Sequence, residues 1–251
     1  MIGSIKFKIL SIIIAALAIS VITFHPADSA GRKSCEYSIE NVFRLRGGFP
    51  ETAEAKAEST GLKLEDFLKL QKRSASSMLP EELKKINEIR ESQIKPSPEV
   101  LMQKVVPSGD IGRYISGEKK VKGFLSVCAD TAGYRTVNDF YYGLRLDYPG
   151  SKYFHGMKSI GIIRFKAKNA SKCIIPRSRG FGGDFSDPYP FGGHGFTTGT
   201  NGRLGTPEWV LQEPADLYDG AAIFELWSDG EETLRAIFRN GKFDRVTGNI
   251  R

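Results

Sequence analysis

Apolar residues along this chain fall into three regimes. From Ile9 to Thr23 they run almost unbroken, from Leu62 to Val106 they recur every three or four residues, and beyond Gly123 they gather into short runs bounded by glycine and proline. The middle regime predicts helices. Leu64, Phe67 and Leu68, then Leu79, Leu83, Ile86 and Ile89, share faces while charged residues fill the rest. Pro80, Pro96, Pro98 and Pro107 cut this stretch into two or three pieces, so it reads as a helical insertion over 62–106 and not as a long coiled coil. Ahead of it, Asn41 to Leu45 reads as a short strand closed by Gly47-Gly48. Pro50 to Ala57 has the composition of a helix with proline in its first turn, ended by Gly61.

The later regime predicts strands. Gly123 to Cys128 and Ser159 to Phe165 are strand-like, with a helix candidate at Thr131 to Leu144 between them. Nine glycines and three prolines between Gly180 and Pro207 make a long loop, and loops of that length in a compact domain are commonly functional or disordered. Glu208 to Glu213 follows as a strand, then Ala222 to Trp227 and Thr233 to Phe238 form a hairpin around Ser228-Asp229-Gly230. Helices early and strands late predict one α+β domain over 30–251, its strands packed face to face around a cleft.

The first regime is a different matter. Lys6 and Lys8, the apolar run, the break at Phe24-His25-Pro26 and the small residues Ala27-Asp28-Ser29 make residues 1–29 a signal peptide, cut after Ser29 or Ala30. The run is too short for a spanning helix, which needs roughly 20 residues, so the expectation is a secreted protein without a transmembrane segment. Removing the leader takes away Lys6, Lys8 and Asp28, which lowers the net charge of +7 by one. The remaining positive charge is spread out, without a nucleic-acid motif, and suits acidic surfaces or phosphates in general. Three cysteines reach an oxidising destination; Cys35 and Cys173 are the favoured disulfide pair, and Cys128 reads as a buried small hydrophobe. Asn169-Ala170-Ser171 is a glycosylation acceptor sequence.

Several chemistries drop out. His155 and His194 have no neighbour at metal-ligand spacing, which argues against a metal site. No Gly-x-Ser-x-Gly elbow occurs, and neither glycine cluster matches a phosphate-cradling or dinucleotide fingerprint.

Three separated segments carry a resemblance. Phe43-Arg44-Leu45-Arg46-Gly47-Gly48-Phe49-Pro50-Glu51 sets an aromatic and an arginine on a strand before a proline-acid step. Gly123-Phe124-Leu125-Ser126-Val127-Cys128 is an aromatic-hydrophobic-serine strand, and Leu211-Gln212-Glu213 follows the glycine-rich loop. In this order they resemble the catalytic chain of the mono-ADP-ribosyltransferase toxins, the cholera, heat-labile enterotoxin and pertussis family, in diverged form. That resemblance implies an ADP-ribosyltransferase-like fold, two packed small sheets around an NAD cleft. Arg44 would hold the phosphates and ribose of NAD, Ser126 would brace the catalytic carboxylate, Glu213 would be that carboxylate, and Tyr141 with its aromatic neighbours would wall the nicotinamide.

The chemistry is coherent, since breaking the nicotinamide-ribose bond develops positive charge beside a diphosphate, and a carboxylate at the sugar with an arginine on the phosphates answers both. The implied partners are NAD as substrate, an acceptor of unknown identity and a possible delivery subunit, with no metal. Leu211 stands where arginine-modifying members carry an acceptor-binding glutamate, and Glu208, at an odd distance from Glu213, falls on the opposite face of an extended strand. The resemblance therefore implies an acceptor other than arginine. The same cleft would serve an NAD glycohydrolase, and a catalytically inactive secreted virulence or binding factor on the same scaffold is the reading from another class.

Overall fold

The computed structural model describes residues 49–179, 183 and 192–247. The strand expected at Asn41 to Leu45, Arg44, Cys35 and the leader lie outside the described residues. The described residues open with three helices: α1 (Phe49–Glu58), α2 (Leu64–Gln71) and α3 (Pro80–Glu91). Gly61 ends the first turn region at φ +71°, a conformation a side chain resists. Proline occupies the first turn of α3, where its missing N–H is harmless, and the Glu82 carboxylate accepts the Leu79 N–H at 2.8 Å. These helices bury Phe49, Ala53, Ala57, Phe67, Leu70, Ile86 and Ile89 in a core of their own, joined by Phe196 from the glycine-rich segment. The rings of Phe49, Phe67 and Phe196 meet at 5.4 to 6.0 Å.

The expected helical stretch stops short of Val106. Met102–Pro107 is a strand, β1, and it lies inside the sheet, third of seven strands. Beyond it come α4 (Ile111–Ile115), β2 (Gly123–Val127), α5 (Val137–Gly143), β3 (Ser159–Phe165), β4 (Trp209–Leu211), β5 (Ala222–Trp227), β6 (Glu232–Arg239) and β7 (Lys242–Arg245). The helix α5 begins later than its composition suggests because Thr136 caps it. The Thr136 Oγ1 accepts the Asp139 N–H at 3.3 Å while the Asp139 carboxylate accepts the Thr136 N–H at 2.9 Å.

The strands form one antiparallel sheet in the order β4-β2-β1-β3-β5-β6-β7. Two packed small sheets were expected. The α+β class holds, and a single sheet takes their place because β1 and β2 pair, at Met102 with Val127 and Gln103 with Ser126, and these two positions join β4-β2 to the other strands. Past those positions β1 stays with β3, while β2 turns to β4, so the sheet forks. One face packs Val106, Ile111, Tyr114, Leu125, Ile163, Phe165 and Leu211. The other packs Val137, Phe140, Ile160, Ile162, Phe224 and Leu226.

The described part of the glycine-rich segment is not a free loop. Residues Gly192 to Thr197 are buried, and bridges join Arg177 to His194 and Phe196 to Pro207. Glycine is required here for close approach. A Cβ at Gly195, whose φ is +80°, would meet Ile175 at 2.3 Å, and one at Gly205 would meet the Thr197 carbonyl oxygen at 1.8 Å. Among the described residues no helix is long and apolar enough to cross a membrane.

Candidate functional site

The fork in the sheet opens into a cavity of about 440 Å³, a volume in the range of small-molecule sites. Gln103, Lys104 and Val105 of β1 form one side and Phe124, Leu125 and Ser126 of β2 the other. The segment Leu144–Leu146 with Tyr148 and Tyr153 closes a third side, and Thr197, Pro207 and Glu208 a fourth. Arg145 stands in this wall at φ 57°, a left-handed conformation costing a non-glycine residue roughly 1 kcal/mol, and its Nη1 donates to the Asp147 carboxylate at 2.5 Å.

Ser126 is where the sequence puts it, buried in β2 and lining the cavity. Glu213 is not. The strand expected to run to Glu213 ends at Leu211, held between β2 on one side and a bridge from Ile174 to Val210 on the other. Glu213 lies beyond that end, exposed and outside the cavity. Its carboxylate pairs with Lys172 at 2.7 Å and accepts from Asn169 at 3.1 Å, and the Lys172 hydrogen bond holds it below the usual carboxylate range. The Asn169 side chain also donates to the Pro214 carbonyl and accepts the Asp216 N–H, so the glycosylation acceptor is engaged in pinning this turn. Tyr141 is not a lining residue; its ring meets Tyr142 edge-on at 5.1 Å and His155 at 6.4 Å.

The carboxylate that the structure brings to Ser126 is Glu208. In the β2-β4 pairing, Gly123 faces Leu211, Phe124 faces Val210 and Leu125 faces Trp209. One further step of that register sets Glu208 beside Ser126, and both line the cavity. Burial pushes the Glu208 carboxyl up to about 7, against the opposing pull of Arg90 and Lys104. The sequence held a signal for it. Glu208 opens the segment that continues as Trp209-Val210-Leu211, and an acidic residue at the mouth of a wholly buried strand needs an environment that water or a ligand can reach.

Arg90 secures the Glu208 backbone from α3. Its guanidinium is fully buried, donates to the Glu208 carbonyl at 2.5 Å and the Gly195 carbonyl at 2.7 Å, and lies 4.2 Å from the Trp209 ring centroid. Burial lowers it to about 9, which leaves it charged at neutral pH. The Glu208 N–H in turn donates to the Gly195 carbonyl at 2.9 Å. Two residues upstream, the Thr206 hydroxyl meets the Tyr134 hydroxyl at 2.7 Å, and the Thr206 N–H donates to the Thr197 hydroxyl at 2.7 Å.

Lys104 is the second charged residue lining the cavity that sequence reasoning passed over, because it sat in a stretch read as helix. Its ammonium donates to the Phe124 carbonyl at 3.3 Å across the fork. Burial, with the nearby Lys119 charge, lowers it to about 8, and Glu208 opposes that shift. Of the cysteines, Cys128 is buried as expected, with its thiol pushed up to about 11 by burial. Cys173 is half-buried, and its expected partner Cys35 lies outside the described residues. No protein-family model, curated protein or solved structure matches the chain.

Proposed function

We propose that the cavity binds NAD and cleaves its nicotinamide-ribose bond, in the manner of an ADP-ribosyltransferase, with Glu208 and not Glu213 as the carboxylate at the sugar. The observation that carries this reading is that Ser126 and Glu208 line the same partly open cavity, next to each other when the β2-β4 register is continued by one step, with Phe124, Tyr148 and Tyr153 around them. As the bond from C1′ to the nicotinamide nitrogen breaks, its electron pair leaves with nicotinamide and positive charge builds on the ribose. An ionised Glu208 stabilises that charge, in a site whose buried setting strengthens the interaction. The incoming oxygen or nitrogen of the acceptor then bonds to C1′ and loses its proton to Glu208 or to water.

Ser126, beside Glu208 in the register, orients the carboxylate, and Phe124, Tyr148 and Tyr153 supply the faces on which flat rings pack. Arg44, on the resemblance, adds phosphate contacts. The acceptor on this reading is not a guanidinium. Leu211 is buried in β4, and the position two residues before Glu208 is Thr206, a neutral side chain held by Tyr134. Water or a non-cationic acceptor fits such a wall, so hydrolysis of NAD belongs to the same proposal. Secretion belongs to it as well, through the leader at residues 1–29.

Incubation of the protein with NAD and measurement of nicotinamide release tests the reading. Glu208→Gln should lower turnover about 10²–10³-fold, the usual loss of one electrostatic contact made in the transition state, while Glu213→Gln stays within about twofold, as for a solvated surface pair. Equal loss in both variants, or no release by the unaltered chain, would sink it.

A further inference from the structure

We propose that Lys104 is an anion-anchoring residue of this cavity, and that the ligand it takes carries a phosphate or diphosphate which the Lys104 ammonium contacts directly. The inference shares its cavity with the NAD reading but stands on a separate observation. An ammonium has three donors, and the Lys104 group spends one of them, at 3.3 Å, on the Phe124 carbonyl. No carboxylate among the described residues lies within ion-pair distance of it. Lys104 lines the same cavity as Ser126, Tyr148, Tyr153 and Glu208, with its ammonium at the β2 side of the fork by the Gly123–Phe124 backbone.

A cation that has lost much of its water, as the partly buried Lys104 has, is unfavourable unless something supplies a counter-charge. The protein does not. Glu208 is the acidic group facing Lys104, and its carboxyl is itself held up to about 7, so at neutral pH it is ionised only in part. Lys119, the other cation near Lys104, is engaged elsewhere, since Asp110 takes its ammonium at 2.6 Å, and because Asp110 is shared with Arg113 at 3.3 Å and Lys152 at 3.8 Å it leaves no negative charge over for Lys104. Arg90 faces Glu208 from α3 but is committed to two backbone carbonyls. Arg145, the other cation lining the cavity, pairs with Asp147 at 2.5 Å, whereas Lys104 has no carboxylate within ion-pair distance among the described residues, and an incoming anion completes it. Because a diphosphate offers several oxygens and the ammonium is a compact point charge, contact needs no fixed fork geometry.

Binding of ADP, measured calorimetrically on the full chain, is the direct test, with adenosine as the uncharged comparison. A terminal phosphate has its last pKa at about 6, so above pH 7 most of the ADP charge is already in place and further pH dependence comes chiefly from the protein. Affinity for ADP should fall as pH rises through about 7, where Glu208 ionises in the same cavity, and again through about 8, where the ammonium loses its proton; only the second fall should vanish in Lys104→Met. Lys104→Met should weaken ADP about 10- to 100-fold, the range for a charged hydrogen bond, leave adenosine unchanged, and be largely rescued by Lys104→Arg. Equal ADP binding by Lys104→Met, or no ADP binding by the parent protein between pH 6 and 8.5, overturns the proposal. Should Lys104→Met fail to fold, reductive methylation of the parent protein followed by mass spectrometry takes its place. Protection of Lys104 by ADP supports the anchor, and equal methylation with and without ADP refutes it. The two proposals fail separately: Lys104-dependent ADP binding without NAD cleavage removes the enzyme and keeps the anion site, whereas NAD cleavage with an unchanged KM in Lys104→Met does the reverse.

Discussion

Replacing Glu208 with glutamine should make the protein more stable at alkaline pH, whatever the ligand of the cavity. An unfolded glutamate ionises at about 4.5, and folding raises Glu208 to about 7. Between those values the folded state binds the proton that the unfolded state has released, so stability falls as pH rises through this window and stays lowered above it. Each pH unit of the gap is worth about 1.4 kcal/mol, which gives about 3 kcal/mol in all. Water entering the open cavity screens part of this, leaving about 2 kcal/mol. Glutamine copies the protonated shape and cannot ionise. Urea unfolding of the parent chain and of Glu208→Gln at pH 5 and pH 8 reads the effect directly, with the variant gaining about 2 kcal/mol relative to the parent across the interval. Asp130, which burial raises to about 6, adds a fall of the same sign to both proteins and cancels in the comparison. Parallel curves, or a parent that gains on the variant, would refute the placement of Glu208 in a desolvated site.

Arg90→Met should cost about 3 kcal/mol, since it orphans the Glu208 carbonyl and removes the stack on Trp209; for a domain of this size the melting temperature drops by about 6–12 °C. A loss below about 1 kcal/mol would mean that the guanidinium's own desolvation offsets its bonds. Cys128 should resist thiol reagents at pH 8 in the native protein and react at once in denaturant, because its thiol is buried and raised to about 11; rapid native labelling traced to Cys128 would contradict its burial.

The strand β3 was legible to the residue, since Ser159 to Phe165 is a β-branched run with both faces covered and nothing helical competes with it. The helix at Phe49–Glu58 was legible from its proline and its terminating Gly61. β1 was not, because Val105 and Val106 continue the apolar spacing of the helices before them. Pro96, Pro98 and Pro107 nonetheless isolate a piece too short for a stable helix. Glu213 drew attention by following the glycines, whereas the residue that matters to the cavity is decided by register. Pairing of Leu125 with Trp209 fixes the neighbour of Ser126, and pairing between distant strands leaves no trace in local sequence. Glycine-richness misled for a related reason. At Gly195 and Gly205 it marks backbone packed against backbone, which composition alone reads as freedom.

The clamp that Arg90 places on Gly195 and Glu208 joins residues 105 and 118 positions apart. Contacts of such span close late, after the entropy of the intervening chain has been lost. A nascent or partly unfolded molecule can hold α1, α2 and α3 or the β5-β6 hairpin and still have no shaped cavity. Whatever chemistry the cavity performs is thereby timed: it switches on only when the first helices and the last third of the chain have met, and a single cut between Arg90 and Gly195 that lets the two parts separate would switch it off.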